Sequence, residues 1–379
     1  MQVTSARPDV SYYAPCARIE VQGRELAPQV VADVVSVSVE LEVDQLASFS
    51  LTINNWESDP TKLGFKYSDS SLFDVGHTVH VQLGYAGRMV SMVRGVITSM
   101  TPAFPDAGAP TITINGQDSL VLLRDRHPTG SEQRKFTDKT DGEIAEVIAV
   151  RNKLVPKVDK TTTQNPVVFQ RDLDDAKFLL ERAKRIDFDC YIANDPVTGR
   201  DALHFERPSD GRDAQQTQVF QLEWGRDLIR FNPTLTIARQ VAAVTVRGWD
   251  PQTKSAFVGH ADGSAIPGKP GKGTNGPALV KDRLQDKTDV VVDRPVQSQQ
   301  EADTLAKSIL RARAYNFFTG TGQCIGQPAM RPGDNLLIAG LGQRYSGEYY
   351  ITKTSHSFGS SGYLTEFTVR RDFDGGVSA

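Results

Sequence analysis

Val35-Ser-Val-Ser-Val-Glu-Leu-Glu-Val43 alternates apolar and polar side chains along its whole length. Because successive side chains of a β-strand point to opposite faces, this pattern predicts a long strand with one buried and one wet face. Residues 49–54 alternate in the same way after a short interval, as the second strand of a hairpin does. Further short runs follow, with proline and glycine between them, at 79–83, 93–98 and 111–115. Residues 17–125 are therefore predicted to form a small antiparallel sheet or barrel.

Residues 126 to about 215 have a different character. Thr140 and Glu143 have the spacing of a capping box ahead of a helix. A second helix is predicted over 172–185, because acidic residues at its start and basic residues at its end suit the helix dipole. The runs 188–193 and 202–206 then predict a hairpin. This segment is predicted to be a compact α+β domain.

Strand-like alternation returns after about residue 219 and recurs near the end of the chain, at 231–237, 335–339, 348–353 and 363–370. Between 251 and 289 glycine, proline and lysine accumulate, so an exposed, mobile loop insert is expected there. Ser298 and Glu301 form a second capping box before an amphipathic helix.

The two β-rich regions repeat the same order of elements, which predicts an internal duplication. Three correspondences support it: 37–43 with 231–237, 75–81 with 332–338, and the closing strands 113–118 with 368–372. A fourth sets 49–56 on 242–249, so that Trp56 and Trp249 end equivalent strands.

The predicted fold is mainly β with an α+β insert: two tube-like antiparallel β-barrel domains flank a small α+β domain, and the two barrels are expected to superpose. The expected boundaries are an N-terminal extension at 1–17, the first barrel at 18–125, the α+β domain at 126–216, the second barrel at 217–250 and 290–379, and the Gly/Pro-rich loop insert at 251–289.

Composition narrows the classes of function. The 379 residues carry 43 basic and 46 acidic side chains, a net charge of −3, which gives no electrostatic footprint for nucleic acid. Three cysteines are too few for a disulfide framework or a zinc ribbon and fit synthesis in a reducing cytoplasm. No run of 18 apolar residues occurs, so neither a membrane span nor a secretory signal is predicted.

Candidate catalytic residues are few. His77 and His80 are three residues apart on a predicted strand and face opposite ways, so they cannot share a metal. Gly271-Lys-Gly-Thr274 lacks the earlier glycine of a phosphate-binding loop. Cys190, between Phe188 and Tyr191, is expected in the core rather than as a nucleophile.

Five aspartates could supply the paired carboxylates of a glycosidase: Asp172, Asp174, Asp175, Asp187 and Asp189. The first three stand where helix caps belong, and nothing in the pattern marks Asp187 or Asp189 as desolvated. We therefore predict no enzyme, no catalytic residue, no metal and no cofactor.

The order of these elements resembles the late control gene D family, the baseplate hub of contractile phage tails. It is also similar to the N-terminal part of type VI secretion spike proteins and to the hubs of extracellular contractile injection systems. The residues that carry the resemblance, within 18–375, are Asp172-Leu-Asp-Asp-Ala-Lys-Phe-Leu-Leu-Glu-Arg-Ala-Lys184, then 188–191 and 203–205, then Arg331-Pro-Gly-Asp334 and Gly347-Glu-Tyr-Tyr-Ile-Thr-Lys-Thr-Ser-His-Ser-Phe358.

The resemblance implies a homotrimeric structural hub whose two barrels per subunit build a ring of six around a central channel. Such a hub joins a hexameric inner tube to a trimeric spike in the baseplate of a tail or injection particle. The spike is expected to be a separate protein, and baseplate wedge and tape-measure proteins are further expected partners. The alternative from a different class is a tail-associated cell-wall hydrolase or glycan-binding module that uses the 126–216 domain.

Strand alternation indicates which side chains would face such a channel. Val37, Val39, Leu41 and Val43 are expected in the core, because exposing them would cost roughly 1.5–3 kcal/mol each. The residues left for the lumen are Ser38, Glu40 and Glu42 in the first copy and Asn232, Thr234 and Thr236 in the second. This face is predicted to be polar and slightly acidic, which would repel an anionic passenger.

Overall fold

A computed structural model describes residues 14–57, 64–118, 134–195, 200–208, 219–250, 253–266, 273–284 and 287–375, together with Leu123 and Gly130. Its strands are β1 Pro15–Val21, β2 Arg24–Glu25, β3 Val34–Glu42, β4 Ser48–Asn54, β5 Thr78–Tyr85, β6 Arg88–Ala103, β7 Thr111–Asp118, β8 Lys135–Thr140, β9 Val155–Val158, β10 Gln164–Phe169, β11 Asp189–Asn194, β12 Asp201–Glu206, β13 Val219–Glu223, β14 Leu228–Leu235, β15 Ala243–Asp250, β16 Ser255–Asp262, β17 Thr288–Val291, β18 Phe318–Ile325, β19 Asn335–Ala339, β20 Gly347–Gly359 and β21 Gly362–Arg371. Its helices are α1 Pro28–Ala32, α2 Asp141–Arg151, α3 Asp175–Ile186, α4 Gly276–Leu284, α5 Gln299–Ala314 and α6 Gly342–Tyr345, with a 3₁₀ turn at Gly263–Ala265.

Thirteen strands form one continuous sheet. Its main path runs in the order β14-β18-β21-β20-β3-β4-β7-β6-β5-β1-β2, while β19 pairs with the first half of β20 and β13 pairs with β19. Every pair in it is antiparallel except β13 with β19. The predicted mainly β fold with an α+β insert is confirmed. Three smaller sheets are β10-β8, β11-β12-β9 and β16-β15-β17.

The order β3-β4-β7-β6-β5 recurs in the same sheet as β14-β18-β21-β20-β19. Irregularities in the ladders recur with it. A register shift lies between Val34 and Ser36 in β3 and between Leu228 and Arg230 in β14. A second lies between Ile97 and Ser99 in β6 and between Ile351 and Lys353 in β20. Because a β-bulge occupies one defined position in a ladder, the two copies can be aligned residue by residue.

This alignment sets 37–43 on 231–237 and 78–81 on 335–338, the correspondences expected from the sequence. The correspondence of 113–118 with 368–372 joins equivalent strands in the wrong register, because the ladders set Asn115, not Thr113, on Thr368. The fourth correspondence was wrong. β15, which carries Trp249, lies in the separate β16-β15-β17 sheet, and β18 takes the place equivalent to β4. Its period is concealed because Gly320 and Gly322 occupy core positions, where the rings of Phe231 and Phe367 fill the space that side chains would take.

The loop insert expected at 251–289 was also wrong over its described residues, which contain β16, the 3₁₀ turn, α4 and β17. Composition concealed three apolar anchors, Ala261, Ile266 and Val280, which are all buried. β16 pairs with β15 along its whole length and packs so closely on α5 that a Cβ at Gly259 would lie 2.2 Å from the carbonyl oxygen of Ala302. Residues 267–272, with two of the six glycines and two of the five lysines of this segment, lie outside the described residues.

Four apolar cores lie beneath these layers. The first is enclosed by β1 and β3–β7, and the second by β14 and β18–β21. The third joins α2 and α3 to β11 and β12, and the fourth joins α5 to β15 and β16. Helix starts follow the sequence: Thr140 and Glu143 form the capping box of α2, while Asp174 and Ser298 cap α3 and α5. The domain boundaries proposed above remain predictions, and residues 1–13 of the N-terminal extension lie outside the described residues.

Replacing Gly116 by valine should destabilise the first copy by about 1–3 kcal/mol or more, because its Cβ would lie 2.1 Å from the buried Phe49 ring. Chemical denaturation followed by tryptophan fluorescence measures the change. Thr113→Val on the opposite, half-exposed face of β7 is the matched control and should stay within about 0.5 kcal/mol of the parent. Equal stability of the two variants would contradict this packing.

Candidate functional site

The six residues predicted to face a channel lie on the side of the large sheet opposite its cores. Along β3, Val37 and Val39 are fully buried, whereas Ser38, Glu40 and Glu42 lie on the other face. Along β14, Asn232 and Thr234 are exposed. Thr236 follows the end of β14, where its hydroxyl accepts a hydrogen bond from the Ala238 N–H. The alternation predicted from the sequence thus separates core from solvent in both copies.

Strand register connects these residues into one surface. Glu40 is opposite Ser355 of β20, which is opposite Glu366 of β21, and this row continues through Gln323 of β18 to Arg230 of β14. On the other side of β3, Glu40 is opposite Ser48 of β4. We name this face the polar wall, and it comprises Arg230, Asn232, Thr234, Thr321, Gln323, Glu366, Thr368, Lys353, Ser355, Ser357, Ser38, Glu40, Glu42, Ser48, Ser50, Asn115 and Gln117.

The charges of the polar wall are largely paired. Lys353 Nζ lies 3.0 Å from Glu40 Oε2 and 4.0 Å from Glu42 Oε2. Arg230 Nη2 lies 2.9 Å from Glu366 Oε1, which also accepts a hydrogen bond from Gln323. Exposed pairs of this kind add about 0–1 kcal/mol each to stability, so their main effect is on the surface potential. Two cations therefore offset much of the acidity that Glu40 and Glu42 suggest alone.

Sequence reasoning missed the wall residues of β18, β20 and β21, which complete the face. The wall residues of β21 could have been predicted from the alternation of 363–370. Tyr363, Phe367 and Val369 are buried there, whereas Glu366 and Thr368 lie on the opposite face. β18 gave no such signal because of its core glycines. Only the register shows that both copies share one face.

The sheet also has unpaired edges. β20 pairs with β21 on one side and with β3 on the other, through Lys353 to Phe358 opposite Glu42 to Val37. Among the described strands, β6 beyond Ile97 pairs only with β7, and β14 pairs only with β18. These two edges are the equivalents of the two strands that meet at the β20–β3 junction, and residues 101–104 at the β6 edge are exposed.

The candidate glycosidase carboxylates have structural partners. Asp174 accepts a hydrogen bond from the Lys177 N–H as the cap of α3. Asp175 is buried and binds Arg151 and Gln170. Asp187 ends α3 in the left-handed conformation and accepts a hydrogen bond from Tyr315. Asp172 is exposed.

Asp189 differs from the sequence expectation, because it is desolvated. It is 4% exposed, it accepts a hydrogen bond from the Tyr350 hydroxyl, and burial raises its pKa to about 7. Nearby Arg370 opposes this rise. This enclosed carboxyl lies between the α+β domain and the large sheet, where it joins β11 to β20 through Tyr350.

The described residues among the remaining candidates have structural contacts. His77 precedes β5 and contacts the Leu72 carbonyl oxygen, whereas His80 lies between Glu20 and Ser91. Burial raises the pKa of the Cys190 thiol. Gly271 and Lys272 lie outside the described residues, and the Thr274 N–H already donates to Asp374. Within the described ranges, no three His, Cys, Asp or Glu side chains are placed to hold a metal ion, and no helix is long and apolar enough to cross a membrane.

Solved structures of similar shape come from tails and secretion systems. The 43 kDa tail protein of prophage MuSo2 from Shewanella oneidensis matches with a TM-score of 0.67 and 13% identity over 95% of this chain and 99% of that one. A tail protein from Neisseria meningitidis MC58 matches with a TM-score of 0.65 and 15% identity over 95% and 97%. The E. coli c3393 protein, described as a component of the type VI secretion system, matches with a TM-score of 0.55 and 12% identity over 95% and 79%.

At these identities the likeness establishes the fold alone, and this chain shares that fold with tail proteins. Residues 14–359 match the family model of the Alg8 N-terminal domain, and the chain belongs to that family. No curated protein matches the sequence.

Removing the Asp189 carboxyl should flatten the pH dependence of stability. The folded-state pKa of about 7 is above the ordinary value of 3.8, so the folded protein holds this proton more tightly than the unfolded chain. The stability that it contributes is therefore complete below about pH 4 and is lost as pH rises to about 7. Urea unfolding of the parent and of Asp189→Asn between pH 4.5 and 8 measures the slope.

A residual slope is expected in the variant, because burial also raises the pKa of Asp334 to about 7. Asp172→Asn, at an exposed site, is the control and should retain the parent's slope. Identical slopes for all three proteins would show that Asp189 is not desolvated in solution.

Proposed function

We propose that this protein is the structural hub of a contractile tail or injection system. Three protomers close a ring around a channel, and the ring joins a sixfold inner tube to a separate threefold spike in the baseplate. The observation that carries this proposal is the β20–β3 junction, which already joins two equivalent sheets and leaves the same two edges open at the ends.

The internal junction shows how two copies join. Lys353–Glu42, Ser355–Glu40 and Ser357–Ser38 face each other on the polar wall, while Thr354, His356 and Phe358 turn towards the cores. The Val43 N–H extends the ladder by donating to the Thr352 carbonyl oxygen at 3.0 Å. Both faces of the sheet therefore continue across the junction without interruption.

The free edges have the residues to form the same junction between molecules. Aligning the bulges sets Ser99 on Lys353 and Phe104 on Phe358. It also sets Asn232 of β14 on Ser38 of β3. Because an unpaired edge is a template for another strand, β6 of one protomer is expected to pair with β14 of the next. This contact is heterologous, so repeating it closes a ring when the rotation permits.

Phe104 supports this arrangement. It is 59% exposed, although its equivalent Phe358 packs partly buried against the first core, across the internal junction. Within the chain the Phe104 ring contacts only the edge of Phe65 among the described aromatic rings, with 4.9 Å between centroids. In the ring it would cover the second core of the neighbouring protomer, beside Phe231. The open edge therefore exposes a phenylalanine at the position where the internal junction covers one.

The polar wall is the lining that such a ring requires. Its side chains are small, hydroxylated or paired in charge, so a passenger finds few apolar or unpaired charged groups to bind. We therefore assign Ser38, Glu40, Glu42, Asn232, Thr234 and Thr236 to the lumen. We further propose that the chain belongs with the late control gene D type of hub, without an enzymatic role or cofactor, and contacts tube, spike, wedge and tape-measure proteins.

Cysteines placed across the proposed seam should produce a covalent trimer. Ala103 and Asn232 are the equivalents of Ser357 and Ser38, which face each other in the internal junction as a non-hydrogen-bonded pair. In such a pair the Cα atoms lie about 4.5 Å apart, which is within disulfide range. Mild oxidation of Ala103→Cys/Asn232→Cys should give a product of three chains on denaturing gels, about 125 kDa. The native Cys190 and Cys324 are buried and give little background, and the half-exposed Cys16 is replaced by serine in every variant.

The off-register pair Ala103→Cys/Arg230→Cys is the matched control and should crosslink poorly. Electron microscopy of the oxidised trimer should show six lobes around an open channel. A monomer by sedimentation, without crosslinks, would overturn the hub. Release of soluble fragments from purified peptidoglycan by the parent protein would instead favour the cell-wall hydrolase.

Reversing the charge of the polar wall should make the channel bind polyanions. In Glu40→Lys/Glu42→Lys, Lys353 loses its partners and three ammonium groups lie together on the wall. The trimer should keep its mass but should retain a fluorescent single-stranded oligonucleotide at low salt, at least tenfold more tightly than the parent. Glu146→Lys/Glu181→Lys, at exposed positions on α2 and α3, makes the same charge change away from the wall. Equal binding by both double variants would place the wall outside the channel.

A further inference from the structure

Both edges that meet in the proposed ring carry a proline. Pro102 lies in the exposed end of β6, and Pro233 lies in the middle of β14. Proline has no N–H to donate and is confined to sheet edges for that reason. We propose that Pro102 of one protomer faces Pro233 of the next and that this pair sets the register of the seam. The inference rests on the proposed ring and specifies how its edges meet.

The backbone of Pro233 turns to the open side of β14. The Thr236 N–H donates to the Phe317 carbonyl oxygen at 2.9 Å, so Thr236 faces β18. Residues of a strand direct their N–H and C=O groups alternately to the two sides, so Thr234 also faces β18 and Pro233 faces the open edge. Val39, the equivalent of Pro233, faces β20 in the internal junction in the same way.

The backbone of Pro102 turns to the open side of β6. The Ile97 N–H donates to the His77 carbonyl oxygen, and the Ile97 carbonyl oxygen accepts from the Gly76 N–H. The equivalent residue Ile351 makes the same two backbone hydrogen bonds, with Asp334 and Gly333. The bulge then sets Thr98 on Thr352, whose carbonyl oxygen accepts from Val43 of β3. Two and four residues further on, Met100 and Pro102 face that same side, which is open in β6.

In the internal junction His356 is opposite Val39, as a pair whose backbones face each other. Pro102 stands at the place of His356 and Pro233 at the place of Val39, so the two prolines meet in the seam. This pair lacks both N–H donors. The flanking pairs, Met100 with Leu235 and Phe104 with Phe231, retain theirs. The seam therefore has two fewer backbone hydrogen bonds than the internal junction.

Matched prolines favour one register. A proline ring occupies the space of the missing hydrogen and widens the ladder where it points at the partner strand. When Pro102 faces Pro233, both proline rings widen the ladder at the same residue pair. After a slip of two residues each proline would face a different residue, so the ladder would be widened at two pairs. In the free protomer the same prolines hinder pairing of either edge with unrelated strands.

The test converts the seam into the internal junction. Pro102→His/Pro233→Val introduces the residues found at 356 and 39 and restores both donors. Exchange of fluorescently labelled subunits between trimers should become roughly tenfold slower than in the parent, with each single variant intermediate, because each seam regains two hydrogen bonds. Pro166→His, at an exposed position of the separate β10-β8 sheet, is the control and should exchange at the parent's rate.

Register is measured in the same proteins with cysteine pairs. Ala103→Cys with Asn232→Cys reports the matched register, and Ala103→Cys with Thr234→Cys or Arg230→Cys reports a slip of two residues in either direction. Crosslinks in the slipped registers should increase at least threefold once both prolines are replaced. If histidine at 102 disturbs folding, Pro102→Ala/Pro233→Ala should show the same increase. If the parent gives no crosslink, the ring itself is wrong. If it crosslinks in register but neither exchange nor slippage changes in the variants, the ring stands and the proline pairing is overturned.

Discussion

The pairing of β20 with β3 is the contact on which the rest of the molecule depends. It joins residues more than 300 positions apart in the chain, such as Lys353 and Glu40. Without it the two copies would be two separate half-open sheets, each with two long exposed edges. With it they form one sheet of thirteen strands. Closing so long a loop costs conformational entropy that the local hairpins cannot offset alone, so the junction requires the continuous core beneath it.

Strand period then determines both faces of that sheet together. A side chain that faces the core at one position forces its neighbours to the opposite face, so Val37 and Val39 place Ser38 and Glu40 on the polar wall. The register across the junction carries this division from the first copy into the second. Since a slip of one residue would exchange the two faces, the junction must keep its register. The bulges at equivalent positions hold the ladders to that register in both copies.

Sequence pattern was sufficient for the strands whose core positions are apolar. The equivalence of 37–43 with 231–237, and of the strands around Val79 and Leu336, followed from period and spacing alone. It was insufficient where a core position is filled from another strand, as at Gly320 and Gly322 of β18. It was insufficient again at 255–284, where β16 and α4 depend on contact with β15 and α5.

The polar wall was predictable strand by strand but not as a surface, for a related reason. Alternation tells which face a residue occupies within its own strand, and only long-range pairing tells which strands share that face. The wall cations Arg230 and Lys353 are far from Glu366 and Glu40 in the chain, so the near-neutral balance of the wall could not be deduced from 37–43 and 231–237. The desolvation of Asp189 was hidden likewise, because it is covered by Tyr350 of β20, which lies 161 residues further along the chain.

The charged groups that invite a catalytic interpretation are instead used to attach the α+β domain to the rest of the protein. Asp187 binds Tyr315 and Arg311 beside α5, and Ser308 of α5 donates to the Lys184 carbonyl oxygen at the end of α3. Asp189 is joined to Tyr350 of the large sheet, next to the buried Arg370. Buried polar contacts of this kind fix relative orientation more than they add stability, because a displaced domain would leave charges unpaired. These carboxyls hold the layers together, so the proposed assembly depends instead on the polar wall and on the open edges of β6 and β14.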